Sequence, residues 1–194
     1  MTQQNGLATE KVNISTQKLL GGIGSLLMLL SFIPVIGILL GILGIVFWLV
    51  SMYQISSKIK KPEIFSKAII GFILALLGWI IALMFGLMSF VSFFASSGFT
   101  RDEGQVGLGI GIGIFIALLV DYIISIVAAY FYKEAYKILA VTINHNLFRT
   151  AGLLMYIGAI TVILFGIGII LWIVGWIILV IAFFTAPDEV EIRA

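Results

Sequence analysis

Four long apolar blocks, broken by short polar stretches, make up most of this chain of 194 residues. They cover residues 19–53, 68–94, 106–132 and 151–186. None alternates with the period of two that a membrane strand needs, so a β-barrel is not expected. Each is at least as long as the ~18–20 apolar residues that cross a bilayer core of ~30 Å. The first and last blocks are about twice that length. A single helix over residues 19–53 would run ~52 Å at ~1.5 Å per residue, so the chain must turn back. "SFIPVIG" at 31–37 supplies a turn, because Pro34 lacks the N–H that would continue a helix. "FGIG" at 165–168 is the corresponding turn in the last block. The pattern therefore predicts an all-α membrane protein of about six transmembrane helices arranged as three hairpins, and the short arms of the first and last leave open whether those two cross fully or penetrate only partly.

Basic residues orient those helices. Lys11, Lys18, Lys58, Lys60, Lys61, Lys67, Lys133, Lys137, Arg149 and Arg193 fall on one side, and only Arg101 falls on the other. The side rich in Lys and Arg is the cytoplasmic one. Both termini are then cytoplasmic, the protein sits in the cell membrane, and the "TRDEG" loop around Arg101 is external. Tyr53, Tyr130, Tyr132 and Tyr136 cluster at the inner ends, where amphipathic rings settle. The chain divides into a polar cytoplasmic N-terminus (1–17, expected to be uncleaved), a helical bundle (18–186) and an acidic, solvated cytoplasmic tail (187–194).

The first and last blocks resemble each other without gaps. Residues 18–54 lie over 149–185 at an offset of 131, which places Gly21, Gly37, Gly44 and Lys18 on Gly152, Gly168, Gly175 and Arg149. "YQI…IFSKA" (53–68) echoes "YKI…LFRTA" (136–151). The expectation is a parallel internal repeat of three hairpins, each entering behind a basic residue.

The third block carries the candidate chemistry. Gly109, Gly113, Ala117, Asp121, Ser125 and Ala129 recur every four residues. Such small-residue ridges let a second helix approach closely in lipid. Similar seams occur at Gly78/Ala82/Gly86 and Gly37/Gly41. Asp121 lies within the ridge, with no Lys, Arg or His beside it. Holding a charged carboxylate at mid-membrane costs at least ~2.5–3.5 kcal/mol, so Asp121 should face protein. A neutral carboxyl can donate to Ser125, to Tyr156 or Thr161 in the fifth span, or to Ser25 or Ser31 in the first. Three roles fit: a protonatable transport or sensing site, a carboxyl that joins helices by one hydrogen bond, or a contact with lipid or a partner.

Composition removes other classes. Hydrophobic residues make up 62% and charged residues 10%, against roughly a quarter charged in soluble domains. With no cysteine, thiolate metal or redox chemistry is excluded. The single histidine, His145, cannot complete a histidine-rich metal site, and one Asp cannot form a two-carboxylate dyad. "GLGIGIGIF" (107–115) lacks the spacing of a phosphate loop. No enzyme, cofactor or metal is expected, and the basic residues are too sparse for nucleic acid. The expected partners are anionic lipid headgroups at the inner face, with a second copy or another membrane protein as a further candidate. The leading function is a structural or accessory membrane component, and the alternative is a small transporter or channel using Asp121.

The segments "KLLGGIGSLLMLLSFIPVIG", "FSKAIIGFIL", "YFYKEAYKIL", "LFRTAGLLMYIGA" and "WIILVIAFF" together resemble the family known as domain of unknown function 996. The resemblance runs from Lys18 to Phe184, and residues 148–152 are its most specific part. It implies a multi-pass membrane protein, found mainly in archaea and some bacteria, with no assigned activity or site residues.

Overall fold

A computed structural model of the chain describes residues 9–96, 103–164 and 166–193. A strand, β1 (Thr9–Asn13), precedes six helices, and a second strand, β2 (Glu189–Arg193), follows them. The helices are α1 (Ser15–Leu30), α2 (Gly37–Lys58), α3 (Pro62–Ser96), α4 (Glu103–Thr142), α5 (Leu147–Thr161) and α6 (Ile167–Thr185). Four of them, α2, α3, α4 and α6, contain stretches long and apolar enough to cross a membrane. The other two, α1 and α5, have only 16 and 15 residues.

Local chemistry sets the boundaries. The chain leaves α1 at Ser31, whose N–H and Oγ both bond to Met28 O, just ahead of Pro34. Pro34 falls within the turn between α1 and α2, which occupies residues 31–36. Pro62 opens α3 at the position where a missing N–H costs nothing. The turn between α5 and α6 begins at Val162, slightly earlier than "FGIG" suggested. α4 runs on past Lys133 and Lys137 to Thr142, so what reads as the start of an inner loop is helix.

The chain forms two compact units. One comprises the residues up to Ile69 and those from Ala129 onward, and the other is Ile70–Ala128. In the first unit, α1–α2 and α5–α6 are antiparallel hairpins, and α1 also packs on α6. The arms touch backbone to backbone. A Cβ added to Gly24 would stand 2.6 Å from Trp48 N, and one added to Gly158 would stand 2.8 Å from Gly168 O. Gly37 packs on Ser31 and Gly168 on Val162, two contacts related by a shift of 131 residues. The same shift relates Val35 (φ 74°) and Gly166 (φ 81°), the left-handed residues of the two turns.

The buried core of this unit is confined to one end. Ile14, Met52, Ile55, Ile59, Ile64, Tyr136, Leu139, Phe148, Phe183 and Val190 are buried there, with Phe148 and Phe183 stacked edge to face at 4.9 Å. At the other end, the hairpin tips expose large apolar side chains.

The two strands pair antiparallel, Thr9 opposite Arg193 through Asn13 opposite Glu189, and Ile14 N extends the ladder to Asp188 O at 2.7 Å. The tail expected to be a solvated end is thus tied to the N-terminal segment. Val190 of β2 enters the core, and Val12 of β1 packs against it.

Candidate functional site

In the second unit, Asp121 comes from the middle of α4 and is half-buried. A Cβ added to Gly78 of α3 would stand 2.6 Å from Asp121 Oδ1 and 3.4 Å from Ile124 Cγ2. The carboxyl therefore occupies the space a larger residue at 78 would need. No side chain among the described residues hydrogen-bonds to it. Ala117, one turn before it, is buried, Ser125, one turn after it, is half-buried, and Gly113 has nothing within 4 Å of an added Cβ. Gly109 lies in α4, but its surroundings fall outside the described residues. Of the Gly78/Ala82/Gly86 seam, Gly78 meets α4 and Gly86 meets nothing within 4 Å.

The residues proposed as hydrogen-bond partners of Asp121 are engaged differently. Thr161 Oγ1 donates to Ile157 O of its own helix at 2.8 Å, and Ser31 Oγ donates to Met28 O at 2.7 Å. Ser25 is fully buried, and its Oγ has no hydrogen-bond partner among the described residues. Tyr156, in the first unit, faces Tyr130 at 6.2 Å between ring centroids.

Tyr156 belongs to a site that sequence reasoning missed. Lys133 Nζ lies 4.7 Å from the centroid of Tyr130 and 4.8 Å from that of Tyr156. It also lies 3.3 Å from Glu134 Oε1, and Glu134 Oε2 lies 3.4 Å from Lys137 Nζ. Two phenol faces and a carboxylate thus hold one ammonium, which attracts each ring through its quadrupole. Tyr130 and Lys133 share a face of α4 because they are three residues apart. Gly152 brings α5 close enough to add Tyr156, since its missing Cβ would stand 3.1 Å from Lys133 Cα. Gly152 ends the "LFRTAG" segment, in which Phe148 and Ala151 are also buried. The Tyr130–Lys133 spacing was the available signal, but it does not show that a second ring arrives from α5.

A second polar cluster surrounds the start of α1. Lys58 Nζ donates to Asn13 O (2.9 Å) and Gln17 Oε1 (3.1 Å), and Gln17 Nε2 donates to Gln54 Oε1 (3.2 Å). Ser51 Oγ donates to Gln17 O at 2.7 Å. Lys18 Nζ bonds to Ala186 O (2.5 Å) and pairs with Asp188 (2.8 Å), while Lys60 pairs with Glu10 at 2.7 Å. His145 Nε2 meets Thr185 Oγ1 at 3.0 Å. Among the described residues, no group of three or more His, Cys, Asp or Glu could hold a metal ion.

Comparison with known proteins gives a family and no activity. An uncharacterized protein of Methanocaldococcus jannaschii is 31% identical over 182 residues, covering 93% of this chain and 97% of that protein. No solved structure matches. The family model described as "Protein of unknown function (DUF996)" matches residues 40–177, and the chain belongs to that family.

Proposed function

We propose that the protein is a non-enzymatic, structural or accessory component of the cell membrane, with its strand ribbon and both termini at the cytoplasmic face. One observation carries this reading: three lysines at the helix bases of the first unit act as clamps. Lys18, Lys58 and Lys60 are spent on Ala186 O, Asp188, Asn13 O, Gln17 and Glu10. They tie the helix bases to the chain ends. The exposed Lys61 and Arg149 remain for anionic lipid headgroups. The hairpins α1–α2 and α5–α6 are read as copies of one unit, supported by the shared shift of 131 in their turn residues and glycine contacts. Their exposed apolar flanks suit lipid, a second copy or another membrane protein.

The second reading is a small transporter using Asp121. It draws on a half-buried carboxyl with no hydrogen-bond partner among the described residues. Proteoliposomes loaded with a pH-sensitive dye separate the two. The structural reading expects wild type and Asp121→Asn to leak protons no faster than protein-free vesicles. A wild-type flux abolished in Asp121→Asn would overturn it in favour of transport.

A further inference from the structure

The tips of the two hairpins are built for hydrocarbon. Residues 31–37 (SFIPVIG) and 162–168 (VILFGIG) contain no charged residue, and their one polar side chain, Ser31, is turned back onto Met28 O. Val35 is 92% exposed and Ile163 63%. A turn that met water on the far side of a membrane would bring these side chains into it. The link between α3 and α4 has the opposite character, because residues 97–102 read SGFTRD.

Backbone in lipid must satisfy its own polar groups. In the first tip the N–H groups of Ser31, Ile33, Ile36 and Gly37 bond to Met28, Leu30, Pro34 and Ile33 carbonyls, and Pro34 has no N–H. In the second, Leu164 N bonds to Thr161 O, Ile167 N to Leu164 O, and Ile169 N and Ile170 N to Gly166 O.

Length points the same way. A hairpin can go no deeper than its shorter arm. The 16 residues of α1 and the 15 of α5 measure ~24 and ~22 Å, against a core of ~30 Å. The base of α1 cannot sink further, because it follows directly on the charged ribbon with Glu10 and Lys11. Phe32 of the first tip stacks on Trp172 of α6 at 6.0 Å, so the two hairpins share a depth.

We propose that α1–α2 and α5–α6 enter the bilayer from the ribbon side and turn back inside its hydrocarbon core, so that lipid acyl chains cover both tips. This rests on the membrane-component reading above and adds a depth to it: the hairpins do not cross.

The chain has no cysteine, so single thiols report cleanly. Val35→Cys and Ile163→Cys probe the tips, Thr100→Cys the outer link, and Lys61→Cys the base. With an impermeant maleimide added outside intact cells, Thr100→Cys is expected to react and Lys61→Cys to react only after permeabilisation. Both tip thiols are expected to react roughly a hundredfold more slowly than Thr100→Cys even after permeabilisation, because a thiol in hydrocarbon does not ionise. A nitroxide at either tip should be relaxed by oxygen and shielded from a polar nickel chelate. Tip thiols that react from outside at the Thr100→Cys rate would overturn the proposal and leave the membrane reading standing. If Lys61→Cys instead reacts from outside, the orientation is overturned, while slow tip thiols still support their depth.

Discussion

Val35 and Gly166 hold the same left-handed conformation at matching points of two turns, but only Gly166 does so without steric cost. For an L-residue that conformation costs about 1–2 kcal/mol, because Cβ crowds the following carbonyl oxygen. Glycine avoids this cost but loses about 0.5–1 kcal/mol more backbone entropy on folding. The difference predicts that Val35→Gly stabilises the fold by about 0.5–1 kcal/mol and that Gly166→Val destabilises it by about as much. Packing barely enters: Val35 is 92% exposed, and nothing lies within 4 Å of a Cβ at Gly166. Val35→Ala keeps the conformational cost while removing the branch, and should stay near wild type. Detergent-driven unfolding in mixed micelles can be followed by fluorescence of the four tryptophans. A shift of 1 kcal/mol appears as a roughly fivefold change in the folded-to-unfolded ratio. The double variant should fall close to wild type, since the two sites do not touch and their effects add. The reasoning fails if Val35→Gly destabilises as much as Gly166→Val does, because the turns would then not share a strained backbone.

Other expectations concern the side-chain sites. Lys133→Met should lower stability by about 1–2 kcal/mol through loss of two cation–π contacts, with Lys133→Arg retaining most of it; the same unfolding assay decides. Gly78→Ala should cost about 1–3 kcal/mol by displacing the Asp121 carboxyl, and markedly less in an Asp121→Ala background; additive losses would show that the two do not meet. Gly24→Leu should cost more than about 3 kcal/mol, because the added side chain meets backbone at Trp48 and Gly44, and limited proteolysis should then cut between α1 and α2. Dense reconstitution should give smaller, more curved vesicles in electron micrographs, since two hairpins that stop short displace lipid unevenly. Ile163→Lys should weaken that effect by pulling one tip toward a polar surface.

Several of these features could be read before any coordinates. Pro34 marks the first turn because a missing N–H acts locally. The apolar blocks announce helices because the requirement to cross lipid is a matter of length. The far end of α4 was harder to read: Lys133 and Lys137 look like the start of a loop, yet charged residues propagate a helix well when Ala135, Leu139 and Ala140 bury its other face. The ribbon left a faint trace in the alternation of "EVEI" at 189–192. Its partner lies about 180 residues away, and no local pattern names it. The lysine clamp was hidden for the same reason. One ring is three residues from Lys133, whereas the other depends on a glycine that lets a different helix approach.

The β1–β2 pairing also bears on the order of synthesis. β1 leaves the ribosome about 180 residues ahead of β2. While the helices between them are being made, Lys18 waits without Ala186 O and Asp188, the contacts that the finished ribbon brings to it. Closure can occur only once residues 189–193 are free. The ribbon thus works as a latch on the helices between its strands, and a chain interrupted before β2 keeps an open strand edge and a loose first hairpin.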